Sequence, residues 1–313
     1  MSIPFCLNPL GVGKKGSDGV NWALQTGNTS YNWQSVCYGN GIFVAVASNG
    51  ATFGVMTSPD GVNWTVRTSG INASWISVCY GNGIFVAVAN SGATARCMTS
   101  TDGINWTAQT GAPLNIPWVE VCCGNGIFVA IEGGAGTNVK SVMTSSDGVN
   151  WAVHAGAASV AALPQQFCYG NGMFVAFLGG RLVTSSNGIS WTDRGDIHGG
   201  GWGPVCFGKG VFVTVSGNRA MMSPDGINWT LHASAANSNY SFRTVCYGNG
   251  VFVAVARTAA SGTDNRVMTS PNGVAWTLRT SAFAVNWESV CYGNGVFVAV
   301  ASSGAAGRVM VSK

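Results

Sequence analysis

The chain has 313 residues, 47% of them hydrophobic and only 8% charged, where ordinary soluble domains carry about 25% charge. That balance excludes intrinsic disorder, which needs low hydrophobicity and high charge. The 15 basic and 11 acidic residues leave a formal charge of +4 without a Lys/Arg cluster, so neither a nucleic-acid footprint nor an apolar run long enough to insert in a membrane is present. Three Glu, five Lys, five Gln and nine Leu stand against 45 Gly. Helix formers are scarce and turn and strand formers abundant, which predicts an all-β protein.

In chain order, residues 1–16 come first. Pro4, Pro9 and Gly11 interrupt this segment, and it lacks the basic start and continuous apolar stretch of a usual signal peptide. It is expected to be a tether, with Ile3, Pro4, Phe5 and Leu7 as docking residues, and any exit from a cell is expected by lysis or another route. A strand follows within Asp18–Gln25. From there one unit recurs seven times. The string SVCYGNGIFVAV at Ser35–Val46 returns with cysteines at Cys37, Cys79, Cys122, Cys168, Cys206, Cys246 and Cys291. A second string, typified by MTSPDGVNWTVRT, carries Trp22, Trp64, Trp106, Trp151, Trp191, Trp229 and Trp276.

Each unit reads as four strands: one holding Val36-Cys37-Tyr38, one at Ile42–Ala47, one ending in Val55–Ser58, and one at Asn63–Thr68. The second is apolar at almost every position, so both its faces must be covered. Units of roughly 40 residues with four strands are the signature of propeller blades. The chain opens on a fourth strand and ends on a third (Arg308–Ser312). A seven-bladed β-propeller of four-stranded blades over residues 17–313 is therefore expected, the N-terminal strand completing the last blade (3+1) and removing two exposed edges.

The first-to-second-strand turn is Gly-Asn-Gly in six units and Gly208-Lys209-Gly210 in the other. The third-to-fourth-strand turn is Ser-x-Asp-Gly, as at Ser58, Asp60 and Gly61, with Asn187 and Asn272 replacing Asp in two units. Ser and Asp side chains in such a turn accept backbone N–H bonds. These turns resemble the Asp-box of sialidase-like (BNR) propeller repeats. The family's Ser-x-Asp-x-Gly-x-x-Trp departs here by one residue, since Asp60 and Gly61 are adjacent before Trp64. The resemblance covers residues 17–313 and implies the propeller fold rather than an activity. The variant, CYGNGxFVAV with SPDGxxW, is also similar to repeats of bacteriophage and giant-virus particle proteins, which implies a virion location.

The other two connections of each blade share the opposite face and vary in length, which is where binding is expected. Trp33, Trp75, Trp118, Trp202, Phe242 and Trp287 recur four residues before the strand-one cysteine, with Pro164 in blade four. Flat aromatic faces suit sugar rings, and the alternative is a wedge between blades. Arg96, Arg181, Arg219, Arg266 and Arg308 begin the third strands and are candidates for acidic sugars or a partner's carboxylates, or for local pairing. The recurrent cysteines are expected to stay unbridged as small apolar fillers. Neither a metal pattern nor a cofactor motif is present.

Asp18, Asp60, Asp102, Asp147 and Asp225 are committed to turns. Glu120, Glu132, Asp193, Asp196, Asp264 and Glu288 remain as carboxylates for chemistry, and a sialidase's N-terminal arginine motif is missing. The densest polar group, Asp193, Arg194, Asp196 and His198, is expected in the loop between blades four and five. The expected function is non-enzymatic: a tail-fibre, tail-tip or capsid-surface propeller contacting host glycans or neighbouring virion proteins. A free multivalent lectin is the alternative, and a sialidase-like glycosidase the third.

Overall fold

A computed structural model describes residues 16–25, 30–49, 51–133, 141–155, 164–178, 180–199, 201–234, 239–258, 265–304 and 307–312. The expected tether, apart from its last residue Gly16, lies outside them, as does Asp264.

The strands fall into seven antiparallel four-stranded sheets, each taken in chain order from the inside outward. Blade one contains Trp33–Gly39, Ile42–Ala47, Val55–Ser58 and Thr65–Arg67. The inner strands of the next five blades are Ala73–Gly81, Trp118–Gly124, Pro164–Gly170, Val205–Gly208 and Ser241–Gly248. Blade seven is assembled from both ends of the chain: Trp287–Gly293, Val296–Ala301, Val309–Ser312 and then Trp22–Gln25, which pairs with Val309–Ser312. The expected 3+1 closure is therefore observed. The fourth strands are shorter than expected, because the box turn itself occupies the residues up to the tryptophan.

The core is a ring of seven apolar clusters, each shared by two neighbouring blades. The second strands supply most of it, with Phe43 to Ala47 fully buried. Position alternation sends Val44 and Val46 to the joint with blade two, and Phe43 and Ala45 to the joint with blade seven. A strand apolar on both faces is satisfied only between two sheets.

The joints are interlocked by glycine. The inner strand of blade one ends at Gly39, and a Cβ there would lie 2.1 Å from the ring of Tyr80 in blade two. The same fit recurs as Gly81 on Cys123, Gly124 on Tyr169, Gly170 on Phe207, Gly208 on Tyr247, Gly248 on Tyr292 and Gly293 on Tyr38, all at 2.1–2.3 Å. These glycines are required because another backbone or ring approaches closely.

The box turn behaves as the sequence implies. The Ser58 hydroxyl accepts from Gly61 N–H at 2.8 Å, and Asp60 Oδ1 accepts from Val62 and Asn63 N–H at 2.9 and 2.8 Å. Trp64 Nε1 donates to Gly61 O at 2.8 Å, folding the indole back against Phe43. Burial opposes ionisation of Asp60, but these bonds and the Asn63 amide outweigh it and hold the carboxyl down at about 2. In blade seven the box is divided between the termini: Ser312 ends the third strand while Gly19 and Trp22 repeat the indole-to-carbonyl bond at 2.8 Å.

The Gly-Asn-Gly turns are two-residue hairpins with positive φ at both central residues, for example 45° at Asn40 and 82° at Gly41. Their asparagines tie blades together, since Asn40 Nδ2 donates to Thr101 O and Asn294 Nδ2 to Pro59 O, at 3.1 and 3.0 Å.

Two outcomes follow for stability. Gly39→Ala drives a methyl into Tyr80 and is expected to cost at least about 1–3 kcal/mol, read as a lower denaturation midpoint with unchanged slope. Lys209 sits at φ 54°, a conformation that lysine disfavours by roughly 1–2 kcal/mol and asparagine tolerates. Lys209→Asn should therefore raise the midpoint.

Candidate functional site

All six aromatic candidates are interior. Trp33, Trp75, Trp118 and Trp287 are fully buried, and Trp202 and Phe242 are 3% exposed. Trp75 packs with Val46 and Val55 of blade one and Ala87 and Ala89 of blade two, while Trp33 packs with Val300 and Val309 of blade seven. They are wedges between blades. The expectation that they present stacking faces to a sugar is corrected, since a ring enclosed on both sides offers none.

Of the five arginines at the third-strand starts, Arg308, Arg266 and Arg219 brace the variable loops. Arg308 donates through Nη1 to Tyr31 O and to Asn32 Oδ1, at 2.5 and 2.9 Å. Arg266 holds Val285 O at 3.1 Å. Arg219 lies 4.8 Å over the Trp202 ring and donates to His198 O. Arg181 pairs with Asp193 at 2.7 Å. Arg96 is half-buried beside the strand bond from Ala89 N–H to its own carbonyl. Each is spread around the rim, so the set does not converge on one ligand. The polar group at Asp193, Arg194 and Asp196 is not in a loop: it forms the fourth strand of blade four, Thr192–Asp196, with His198 just beyond. Outer-strand pairing with the third strand accounts for it, with Arg194 Nε donating to Thr184 Oγ1 at 3.1 Å.

What does converge is the central channel. It encloses a cavity of about 110 Å³ walled by all seven inner strands, room for several waters at the 10–15 Å³ or so that each requires. Toward the tight-turn face it is narrowed by Tyr38, Tyr80, Tyr169, Phe207, Tyr247 and Tyr292. Six of the seven strand-one cysteines, all but Cys79, also line it, and all seven are buried and, among the described residues, unbridged as expected. Burial raises the thiols of Cys79, Cys122 and Cys168 well above their ordinary value. Toward the variable face the wall turns polar, with Gln34, Glu120, Gln166, Arg243 and Glu288.

A β-bulge explains how Gln34, Arg243 and Glu288 reach the channel, while Glu120 and Gln166 line it from the following position, which Ser35 holds in blade one. The inner strands of blades one, two, three, six and seven each shift register between the buried aromatic and the residue two positions on, leaving Gln34, Ile76, Val119, Arg243 and Glu288 without a strand partner. A bulge re-aims a side chain locally. The next position is a hydroxyl in blades one, two, six and seven, and in three of them it staples adjacent blades: Ser35, Ser77 and Ser289 accept from Val78, Val121 and Val36 N–H, each at 3.2 Å. In blade five that position is Pro204, and Gln166 of blade four accepts directly from Val245 N–H of blade six at 3.3 Å.

Two blades supply a charged knot. Glu288 is 4% exposed. Arg257 Nε reaches both its oxygens at 2.8 Å, the Ser302 hydroxyl donates at 2.6 Å, and Arg243 Nε stands at 3.4 Å. Burial, then the nearby Arg257, lowers the Arg243 pKa from its ordinary value. Glu120 is set in the wall of blade three. Burial pushes its carboxyl up to about 8, against the opposing pull of Arg243 and the Ser77 hydroxyl. Arg243 and Arg257 were missed by motif reasoning. For Arg243 the signal was available in the repeat itself, because the bulge position varies in charge between near-identical flanks; Arg257, near the end of the second strand, is not covered by it.

No protein-family model matches the sequence, and no curated protein sequence matches it. Solved structures do match in shape. Virginiamycin B lyase from Staphylococcus aureus has a TM-score of 0.70 at 10% identity, covering 94% of this chain and 100% of that one. YCF48 from Cyanidioschyzon merolae has a TM-score of 0.67 at 13% identity, covering 93% and 98%. The WD40 propeller domain of Doa1 has a TM-score of 0.66 at 13% identity, covering 93% and 97%. Such identities show the propeller fold alone, and the neighbours differ in what they do.

The Glu120 carboxyl yields a pH test. Between the ordinary carboxylate value and about 8, the unfolded chain is ionised at this position and the folded chain is protonated, so folding loses stability as pH rises through that window. Glu120→Gln should flatten the decline, seen as a smaller difference between denaturation midpoints near pH 6 and near pH 8.

Proposed function

We propose that this propeller is a non-enzymatic binding protein of a virus particle, a tail-fibre, tail-tip or capsid-surface module that contacts host glycans or neighbouring virion proteins through its variable-loop face. The observation that carries the reading is the contrast between the two faces. One repeats the same Gly-Asn-Gly and Asp-box turns, whose Ser, Asp and Asn side chains are spent on internal bonds and whose exposed apolar residues, Val62, Ile104, Val149 and Ile189, recur at one position. The other differs blade by blade, and it exposes Phe53 in the second-to-third loop of blade one, with Leu114 and Phe283 in the loops entering blades three and seven, at 42–50% exposure. Exposed apolar tips on a rigid scaffold suit recognition. The similarity of the repeats to those of phage and giant-virus particle proteins supports the location.

The non-enzymatic part rests on how most of the carboxylates are engaged, Glu120, Glu132 and Asp196 excepted. Asp60, Asp102, Asp147 and Asp225 accept turn N–H groups, Asp193 pairs with Arg181, and Glu288 is held by two arginines and a serine. A glycosidase needs an acid and a second carboxylate free to flank the bond.

The test is binding of labelled protein to bacterial cells, to a panel of surface polysaccharides and to particles lacking the protein. Saturable binding to one of these, weakened at least tenfold in a Phe53→Ala, Leu114→Ala, Phe283→Ala triple variant that still folds, is the expected result. Absence of binding to all three, or equal binding by the variant, would overturn it, as would turnover of a chromogenic glycoside.

A further inference from the structure

The tight-turn face carries charge and apolar surface that the ring itself does not use. Among the described residues its box and hairpin turns hold five carboxylates, Asp18, Asp60, Asp102, Asp147 and Asp225, against one ammonium, Lys209, and none of the five forms an ion pair there. The residue after the box glycine is Val or Ile in all seven blades, and Val62, Ile104, Val149 and Ile189 remain 37–45% exposed. Apolar side chains repeated around one face mark a contact surface, where single exposed ones do not.

Gly16 stands at the inner rim of this face. Asn249 Nδ2 donates to its carbonyl at 2.7 Å, and the next residue, Ser17, donates through N–H to Gly295 O at 2.8 Å. A Cβ at Gly16 would lie 2.5 Å from the Tyr292 hydroxyl. Tyr292 lines the channel and is only 4% exposed, and its hydroxyl has no hydrogen-bond partner among the described residues. A buried hydroxyl left unpaired is costly, and the chain that enters beside it is placed to supply the partner. Residues 1–15 suit the rest of the face as well. They carry Lys14 and Lys15 and no acidic residue, with Ile3, Phe5, Leu7, Leu10 and Val12 as apolar side chains. Extended, they reach about 50 Å, against a radius of gyration of about 20 Å for a compact chain of this length.

We propose that residues 1–15 fold back across the channel mouth on the tight-turn face. The lysines lie beside the box carboxylates, the apolar side chains rest on the Val/Ile ring, and a backbone carbonyl of the segment accepts from the Tyr292 hydroxyl. The occupant is the chain's own segment because attachment at the rim gives it a high local concentration there. Ile3, Phe5 and Leu7 thereby dock on their own ring in place of a second particle protein. The variable face stays open, so the inference stands apart from the function proposed above.

The readout is amide hydrogen exchange of residues 1–15 in the full chain, compared with the same residues as a free peptide. Exchange between Phe5 and Val12 should be slowed at least about tenfold and stay so on dilution. A variant combining Asp60→Asn, Asp102→Asn, Asp147→Asn and Asp225→Asn should lose most of this protection. Its fold is expected to hold, because Asn187 and Asn272 already fill that position and accept the same turn N–H bonds. Tyr292→Phe, which keeps the ring against Gly248, should reduce protection about fivefold. Peptide-like exchange in the unaltered chain overturns the proposal. So does protection that falls on dilution as a dimeric mass is lost, which would put the segment on a second copy. Protection unchanged in both variants would put it on another surface and overturns the proposal equally.

Discussion

Everything in this molecule depends on the contact between the last glycine of one inner strand and the side chain that follows the cysteine in the next. At Gly39, Gly170, Gly248 and Gly293 a Cβ would stand 2.1 Å from a neighbouring ring. Only a residue without a side chain lets the aromatic lie against the backbone, so the distance between inner strands is set by ring thickness. Seven repeats of that spacing close the circle and define the channel's width. Blade three uses Cys123 instead of a ring, and a Cβ at Gly81 would still stand 2.2 Å from its sulfur. The constraint is thus on the glycine more than on its partner.

The box glycines make the corresponding joint farther out. Gly61, Gly103, Gly148, Gly188, Gly226 and Gly273 each bring a turn against a branched side chain of the preceding blade's second strand. Gly19 does the same on Val253, although its box is divided between the two ends of the chain. Closure therefore reuses the ordinary inter-blade contact. The ring has no exposed inner edge, and its outer edges are seven short fourth strands, a form that limits edge-to-edge association.

The same regularity concentrates variation where it can be useful. Backbone hydrogen bonding and inter-blade packing restrict nearly every inner-strand position, but the bulge residue has no strand partner and projects toward the channel. Gln34, Arg243 and Glu288 occupy it without disturbing their flanks. Blade five departs further: its inner strand begins only at Val205, and Pro204 has no hydroxyl to offer, so Gln166 spans to blade six. Polar chemistry in the channel and apolar tips on the variable loops are thereby carried on one rigid frame, and each can change without the other.

Much of this was legible in one dimension. The repeat period, the all-apolar second strand, the Asn-Gly and Ser-x-Asp-Gly turns and the displaced final strand determine the blade number, the strand order and the closure, because each is a local signal that recurs blade by blade. Which side of a strand a residue faces is also local, except where a bulge inserts a residue. That exception decided the site. The aromatic before the bulge, Trp75 for instance, resembles a channel-mouth ligand platform by spacing, yet the register shift turns it between sheets and turns the following residue inward. Arg243 and Arg257 meet Glu288 across the joint of blades six and seven, and Glu120 of blade three lines the same channel as Arg243 and Glu288, all far apart in the chain. Only ring closure sets those distances, so only the tertiary structure joins these charges in one weakly screened channel.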